Sequence, residues 1–182
     1  MATADIQLET DRLLLRQWRI EDFVRYAQMF AAPETQHIGG PLTRSDAWRR
    51  FLQMPGAWAL QEFAMFALEE KSTGCFVGQC GPWQPDGWPG TEVGYALHPD
   101  AWGRGYATEA CIAAIDWAFD VLGWSEMIQS IAPANTASQR VAIRLGARNR
   151  GPCVFPAPLD AHVIEIWGQS RGEWRARRST RA

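Results

Sequence analysis

The chain has 182 residues, 47% of them apolar, and 18 Lys and Arg against 20 Asp and Glu leave a net charge near −2. That length suits one domain with a sizeable core, and so small a net charge exerts no global pull toward nucleic acid or a membrane surface. No apolar run approaches the ~18 residues of a bilayer span, and MATADIQLETDR at the start lacks the basic and apolar segments of a secretory signal.

In chain order, RLLLRQW (12–18) predicts a strand. IEDFVRYAQMFAAP follows, with Ile20, Phe23, Val24, Ala27 and Phe30 at helical spacing and Pro33 as its end. A second helix starts near Thr43 or Ser45, turns Ala47, Trp48, Phe51 and Leu52 inward, and ends at Pro55 and Gly56. EFAMFALEE (62–70) and CFVGQCGPW (75–83) read as strands joined by a KSTG turn. GPWQPDGWPG (81–90) is a loop rich in Pro, Gly and Trp, and TEVGYALHP is the next strand.

From Arg104 to Leu122, Ala107, Cys111, Ala114, Ala118 and Leu122 mark one helix face whose small residues permit close packing on a sheet. Gly123 is its natural cap. WSEMIQSIAP supplies another strand, Asn135 to Leu145 another helix closed by Gly146, and two late strands (near 147–155 and at 162–169) flank GPCVFPAPLD. The order β-α-α-β-β-β-α-β-α-β-β, with hairpins first and one strand–helix–strand crossover later, predicts a mixed α/β sheet in a single domain over 1–182. The tail from 171 to 182, RGEWRARRSTRA, holds five arginines and one tryptophan, Trp174, through which it can rest on the body or on a neighbouring chain.

The four cysteines (Cys75, Cys80, Cys111, Cys153) contain no CxxC pair and the three histidines are scattered, so no metal site is expected and reduced cytoplasmic thiols are. The strongest local signal is AWGRGYATEA at 101–110, a glycine turn opening a helix. The first N–H groups of a helix lack partners and the dipole leaves that end positive, so an anion fits there. A Walker loop is excluded, because the turn has neither its lysine nor its spacing. A Rossmann fingerprint is excluded too: its third glycine position is Thr108, and the acidic residue about twenty positions on, Glu126, opens the next strand rather than closing it.

RLLLR, then EVGYALHPDAWGRGYATEA, then APANTASQRVAIRLGA resemble the GNAT acetyltransferases, and within them the RimJ/RimL-like branch that acetylates protein N-termini or other amines. The resemblance runs from about residue 7 to 151. It implies a GNAT fold, with a six- to seven-stranded mixed sheet flanked by about four helices, and acetyl-CoA as cosubstrate without a metal. It also implies that backbone N–H groups of Gly103, Arg104, Gly105, Tyr106, Ala107 and Thr108 bind the pyrophosphate. Tyr95, Ala96 and Leu97 would offer edge backbone to the pantetheine arm, and Asn135 would bond it from the next strand–helix junction. Trp102 stands where the family turn usually begins with Gln or Arg, Ala142 where many members carry a tyrosine acid, and Ala147 where an aromatic often follows the last glycine.

Transfer to an amine at neutral pH needs a base, since an α-amino group has a pKa of about 8 and a lysine of about 10.4. Glu92, five residues before Leu97, is the candidate base, and Ser138 the candidate donor to the leaving thiolate. A backbone N–H near Ala96 or Leu97 is the expected oxyanion donor. Phe23, Tyr26, Trp48, Trp58, Trp83 and Trp88 are candidate walls of the acceptor pocket. Arg140, Arg144, Arg148 and Arg150 are either a basic rim for the phosphates or a solvated face. The expected activity is acetyl-CoA-dependent N-acetylation of a primary amine by direct transfer in a ternary complex, on a protein N-terminus or a small molecule. A non-catalytic acyl-CoA-binding module is the alternative, and an RNA-binding protein using the arginine tail is the remoter one. A membrane partner is not expected, and a homodimer is left open.

Overall fold

The computed structural model describes residues 6–157 and 159–180. Eight strands among these residues form one sheet: β1 (Leu8–Glu9), β2 (Leu13–Arg16), β3 (Phe66–Glu70), β4 (Cys75–Trp83), β5 (Glu92–Leu97), β6 (Glu126–Ile131), β7 (Arg148–Cys153) and β8 (Ile164–Ser170). Their order is β1-β2-β3-β4-β5-β6-β8-β7. Every neighbouring pair is antiparallel except β5 and β6, the pair joined by the predicted crossover. The expected mixed α/β sheet is therefore present, with a short first strand added to the expected six or seven.

Among the described residues five α-helices accompany it: α1 (Phe23–Ala31), α2 (Arg44–Gln61), α3 (Tyr106–Asp120), α4 (Thr136–Leu145) and α5 (Arg171–Ser179). Side chains alternate across a strand, so the sheet divides its core in two. Ala67, Phe76 and Ala96 pack with Tyr26, Met29 and Phe30 of α1 and Phe51 of α2. Phe66, Leu68, Val77, Val93 and Leu97 belong to the larger cluster with Ala110, Cys111, Ala114 and Ala118 of α3. The small-residue face predicted for α3 is the buried one. It approaches the sheet closely enough that the Cys111 thiol lies 3.6 Å from that of Cys80 on β4.

Two helix stripes are rotated from their predicted positions. In α1 the buried residues are Tyr26, Ala27, Met29 and Phe30, while Ile20 and Val24 face solvent. In α2, Ala47, Phe51, Met54 and Trp58 are buried, while Trp48 and Leu52 are exposed. α2 also continues through Pro55 and Gly56, where the sequence pattern placed its end, as far as Gln61. A proline removes one helical donor and crowds the preceding turn. Here burial of Met54 and Trp58 on either side of it, with the Trp58 indole donating to Met65 O at 3.2 Å, holds the helix together. It stops instead at Glu62, which takes a left-handed φ of 63°.

The arginine-rich tail is a helix as far as Ser179; residues 181–182 of it, and 1–5 at the other end, lie outside the described residues. Ser170 and Glu173 form a reciprocal capping box at its start. Trp174 is buried in the larger core and its indole donates to Asp116 of α3 at 2.6 Å. Arg175 and Arg178 pair with Asp120 and Asp116, and Arg171 donates to Phe119 O at 3.5 Å, so three tail arginines are engaged by α3. No helix among the described residues is long and apolar enough to cross a membrane.

Candidate active site

β5 and β6 pair only where Glu92 meets Ile128, with the Ile128 N–H on Thr91 O at 2.9 Å. Beyond that point the two strands part. In the antiparallel ladder with β4, His98 donates to Val77 O, so even-numbered residues of β5 turn their backbone toward β4 and odd-numbered ones toward the gap. The Gln129 side chain reaches Val93 O across the gap at 3.2 Å, as this alternation requires. Tyr95 and Leu97 thus present backbone to the opening, whereas the Ala96 backbone lies in the β4 ladder and its side chain lines the cleft. The Leu97 carbonyl accepts from the Trp102 indole at 2.9 Å, which gives this tryptophan a structural use at the start of the glycine turn.

At the head of α3, Gly103 and Gly105 have φ of 73° and 82°, a left-handed geometry that costs a side chain strain. The backbone N–H groups of Gly103, Arg104, Gly105, Tyr106, Ala107 and Thr108 donate to no acceptor among the described residues. Six consecutive free donors at a helix N-terminus suit an anion such as a phosphate. The Arg104 side chain turns away from them to pair with the buried Glu70, which also accepts from the Tyr106 hydroxyl. Arg12 braces the turn from outside, donating to Arg104 O at 2.8 Å while its guanidinium pairs with Glu109. Of the four candidate rim arginines, Arg144 reaches the turn, donating to Thr108 Oγ1 at 3.2 Å. Arg140 bonds Thr136 within its own helix, Arg150 pairs with Glu126, and Arg148 is 4.0 Å from Glu173.

A cleft of about 710 Å³ opens beside the gap, lined among others by Glu92, Tyr95, Gln129, Asn135 and Ser138. Glu92 is 8% exposed. Its carboxylate accepts from the Trp88 indole at 2.7 Å, from the Ser130 hydroxyl at 2.7 Å and from the Ser130 N–H at 3.5 Å. Burial raises its pKa above the ordinary glutamate value, the hydrogen bonds from Ser130 and Trp88 opposing the rise. Gly94 makes room for it: a Cβ there would meet Met65 Cε at 2.7 Å and Glu92 Oε1 at 3.2 Å. Trp88 stacks on Phe155 with centroids 4.4 Å apart, and Trp83 also lines the cleft. Phe23, Tyr26, Trp48 and Trp58 are not among its walls; Tyr26 and Trp58 are core residues, and Phe23 packs edge-on against Trp48.

Asn135 caps α4, its side-chain oxygen accepting from the Ser138 N–H at 3.1 Å. The Ser138 hydroxyl in turn accepts from the Tyr95 phenol at 3.0 Å. Burial raises that phenol's pKa, with the Ser138 bond opposing. Ala142 sits one turn beyond Ser138 on the same face of α4, so the position of the family's usual tyrosine and Ser138 address the same region. Side-chain roles for Tyr95, Ser130 and Gln129 were missed in the sequence. Period-two alternation from Glu92 was the available signal for Tyr95: it puts the two side chains on opposite faces of the sheet, flanking the gap. The His98 Nδ1 accepts from the Asp100 N–H at 3.4 Å and so caps the turn at Pro99–Ala101, a structural duty. Among the described residues no group of three or more His, Cys, Asp or Glu could hold a metal.

A mixed sheet with one splayed parallel pair, and a turn of unpaired amides heading the crossover helix, is the framework of an acetyl-transferring enzyme. The chain belongs to the GNAT acetyltransferases: the family model for the acetyltransferase (GNAT) domain matches residues 12–148. It is an N-acetyltransferase. The uncharacterized N-acetyltransferase p20 of Bacillus licheniformis is 32% identical over 148 residues, covering 79% of this chain and 83% of that protein. The uncharacterized protein YkkB of Bacillus subtilis is 40% identical over 85 residues, about half of each chain (46% and 49%). Among solved structures, an acetyltransferase from Agrobacterium tumefaciens superposes with a TM-score of 0.82 at 28% identity, covering 91% of this chain and 95% of that one.

Proposed function

We propose that this chain is a cytoplasmic, acetyl-CoA-dependent enzyme of RimJ/RimL-like character that acetylates a primary amine by direct transfer in a ternary complex. The divergence of β5 from β6 after Glu92 carries the reading, because it leaves a slot through the sheet with different chemistry on each side. Acetyl-CoA supplies an activated acetyl thioester. The amides from Gly103 to Thr108, with Arg144 beside them, suit its pyrophosphate; the Tyr95 and Leu97 backbone and Asn135 suit its pantetheine arm.

On the face of the sheet covered by α1 and α2, Glu92 takes the proton of the acceptor ammonium, directly or through a water. Its raised pKa brings it nearer the working pH of a general base. The Leu97 N–H faces the slot and donates to the carbonyl oxygen as negative charge builds there. On the opposite face Ser138 gives its proton to the departing sulfur. Its oxygen already accepts from Tyr95, so its own hydrogen is free to turn toward the slot, and the phenol can restore it.

The test is release of free CoA thiol from acetyl-CoA in the presence of N-terminal peptides, amino acids, polyamines and aminoglycosides, with acetyl-CoA binding followed by calorimetry. Thiol release that depends on one amine class is expected. Binding without release by any amine would make the chain an acyl-CoA-binding module instead.

A further inference from the structure

Among the described residues, Arg50 is a cation without a counterion. It lines the cleft from α2, on the same face of the sheet as Glu92, and lies partly buried with its guanidinium 4.5 Å above the ring of Phe30. One of its five N–H groups donates through Nη1 to Ile38 O at 2.7 Å, and the Tyr26 phenol lies beside the guanidinium. No carboxylate among the described residues comes within ion-pair distance of it; Arg44, Arg140, Arg144, Arg171 and Arg177 are likewise without one, but none of those lines the cleft, and the other arginine that does, Arg49, is paired with Asp46. The acid one turn before it, Asp46, is already shared by Arg49 at 2.8 Å and the Thr43 hydroxyl at 2.7 Å. Burial accordingly draws the Arg50 pKa down, with only the Tyr26 phenol opposing. Gly39 preserves the space: a Cβ there would stand 3.0 Å from Nη1.

The other polar loose ends of the cleft have the opposite sign. The side-chain oxygen of Gln79, which lies opposite Ala96 on the Glu92 face of the sheet, is buried without a hydrogen-bond partner among the described residues and lines the cleft. That of Gln129 is also unpartnered but lies on the α4 face, because Gln129 alternates with Ser130, whose hydroxyl reaches Glu92. None of the residues from Gly103 to Thr108 is among its walls, so Arg50 belongs to the acceptor side and not to the phosphate turn. A buried charge left unpaired is costly, and an arginine fork matches a carboxylate with two parallel bonds.

We infer that the acceptor is an amine that also carries a carboxylate, its carboxylate held by Arg50 and its ammonium received by Glu92 with the free oxygen of Gln79. This rests on the acetyltransferase reading above and narrows its substrate class. Two sources share that chemistry: a free amino acid or short peptide through its terminal carboxylate, and a protein N-terminus through an acidic side chain close behind the amine.

Matched acceptor pairs decide it. Phenylalanine and glycylglycine are compared with their carboxyl amides, and C-terminally amidated peptides beginning Ala-Glu with those beginning Ala-Gln. At least a tenfold preference in kcat/KM for the acid member of one series is expected, and the series that shows it identifies the source. Arg50→Gln should bring that ratio toward one chiefly through KM, while Arg50→Lys, which keeps the charge but loses the fork, should fall between. Equal rates for acid and amide in every pair would overturn the inference and leave the acetyltransferase reading intact. If no amine releases thiol, calorimetry with N-acetyl-phenylalanine and its amide still decides: preferential binding of the acid, lost in Arg50→Gln, supports the anion site, and equal or absent binding ends it.

Discussion

The Tyr95 phenol donates to Ser138 Oγ at 3.0 Å, from β5 to α4 across the gap that opens between β5 and β6. This places a hydroxyl pair on the face of the sheet opposite Glu92. In the mechanism proposed above, this pair would supply in two residues what many family members draw from a single tyrosine at the position held here by Ala142. If the pair acts as one unit, Tyr95→Phe and Ser138→Ala should each lower kcat by about tenfold or more, toward the range typical of general acids. Measured in a double-mutant cycle, the double variant should be scarcely slower than the worse single one. Fully additive losses would show two independent contributions and no relay.

Gly105→Val should weaken acetyl-CoA binding at least tenfold, about 1.4 kcal/mol. Gly105 has φ of 82°, where a branched side chain is strained by about 1–3 kcal/mol, and its Cβ would face Arg12 at 3.4 Å. Gly103→Ala is the gentler companion, because its Cβ would meet nothing within 4 Å and only the φ of 73° resists it. Calorimetry beside circular dichroism separates the two effects. Native affinity in a folded Gly105→Val would show that the turn does not hold the cofactor.

Asn135→Ala should cost about 1 kcal/mol of stability, the usual worth of an N-cap. It should also reduce acetyl-CoA affinity, since the residue that loses its cap bond is Ser138, at the cleft. Thermal melts with and without CoA separate the two duties: equal losses in both would leave the cap alone.

Local pattern announced the strand and helix series, because each element carries its own period and its own stop signal. Gly146 ends α4 and the glycine turn heads α3 as the residues imply. What local pattern could not show was which side of a helix the rest of the protein would cover. Ile20 and Val24 fit an apolar stripe as well as Tyr26 and Met29 do, and only the neighbouring β4 and α2 make the choice. Pro55 is a stop signal overruled by the burial of Met54 and Trp58. In the site, Glu92 and Asn135 could be singled out by resemblance. The partnership of Tyr95 with Ser138 joins segments 43 residues apart, and the isolation of Arg50 concerns a partner that is missing. Neither leaves a trace in spacing.

The C-terminal helix is held by one large side chain. Trp174→Ala should destabilise the protein by about 3–5 kcal/mol, the range for emptying a buried aromatic site, whereas removing the charges of Arg175 and Arg178 should cost little because both pairs lie at the surface. Denaturant melts of the two variants check the contrast. Parity between them would mean that the helix is held by its charges.

Glu92→Gln tests the base and its burial together. Loss of a general base should lower kcat about 10²–10⁴-fold with acetyl-CoA affinity kept, and the parent's rate should fall on the acid side with an apparent pKa above the ordinary glutamate value. Stability should move the other way. Because burial raises the folded-state pKa of Glu92, the folded protein binds this proton more tightly than the unfolded chain. Its contribution is full below the unfolded glutamate value and is lost as pH rises through the folded one, so at neutral pH the ionised carboxylate destabilises the fold. The substituted amide carries no charge to bury and can still accept from Trp88 or Ser130 through its oxygen. Glu92→Gln should therefore melt higher than the parent at neutral pH, with the difference shrinking toward about pH 4, near the unfolded glutamate value. A variant with parental kcat would remove Glu92 from the chemistry. One that melts lower at neutral pH would show that the bonds from Trp88 and Ser130 to the carboxylate outweigh the cost of burying it.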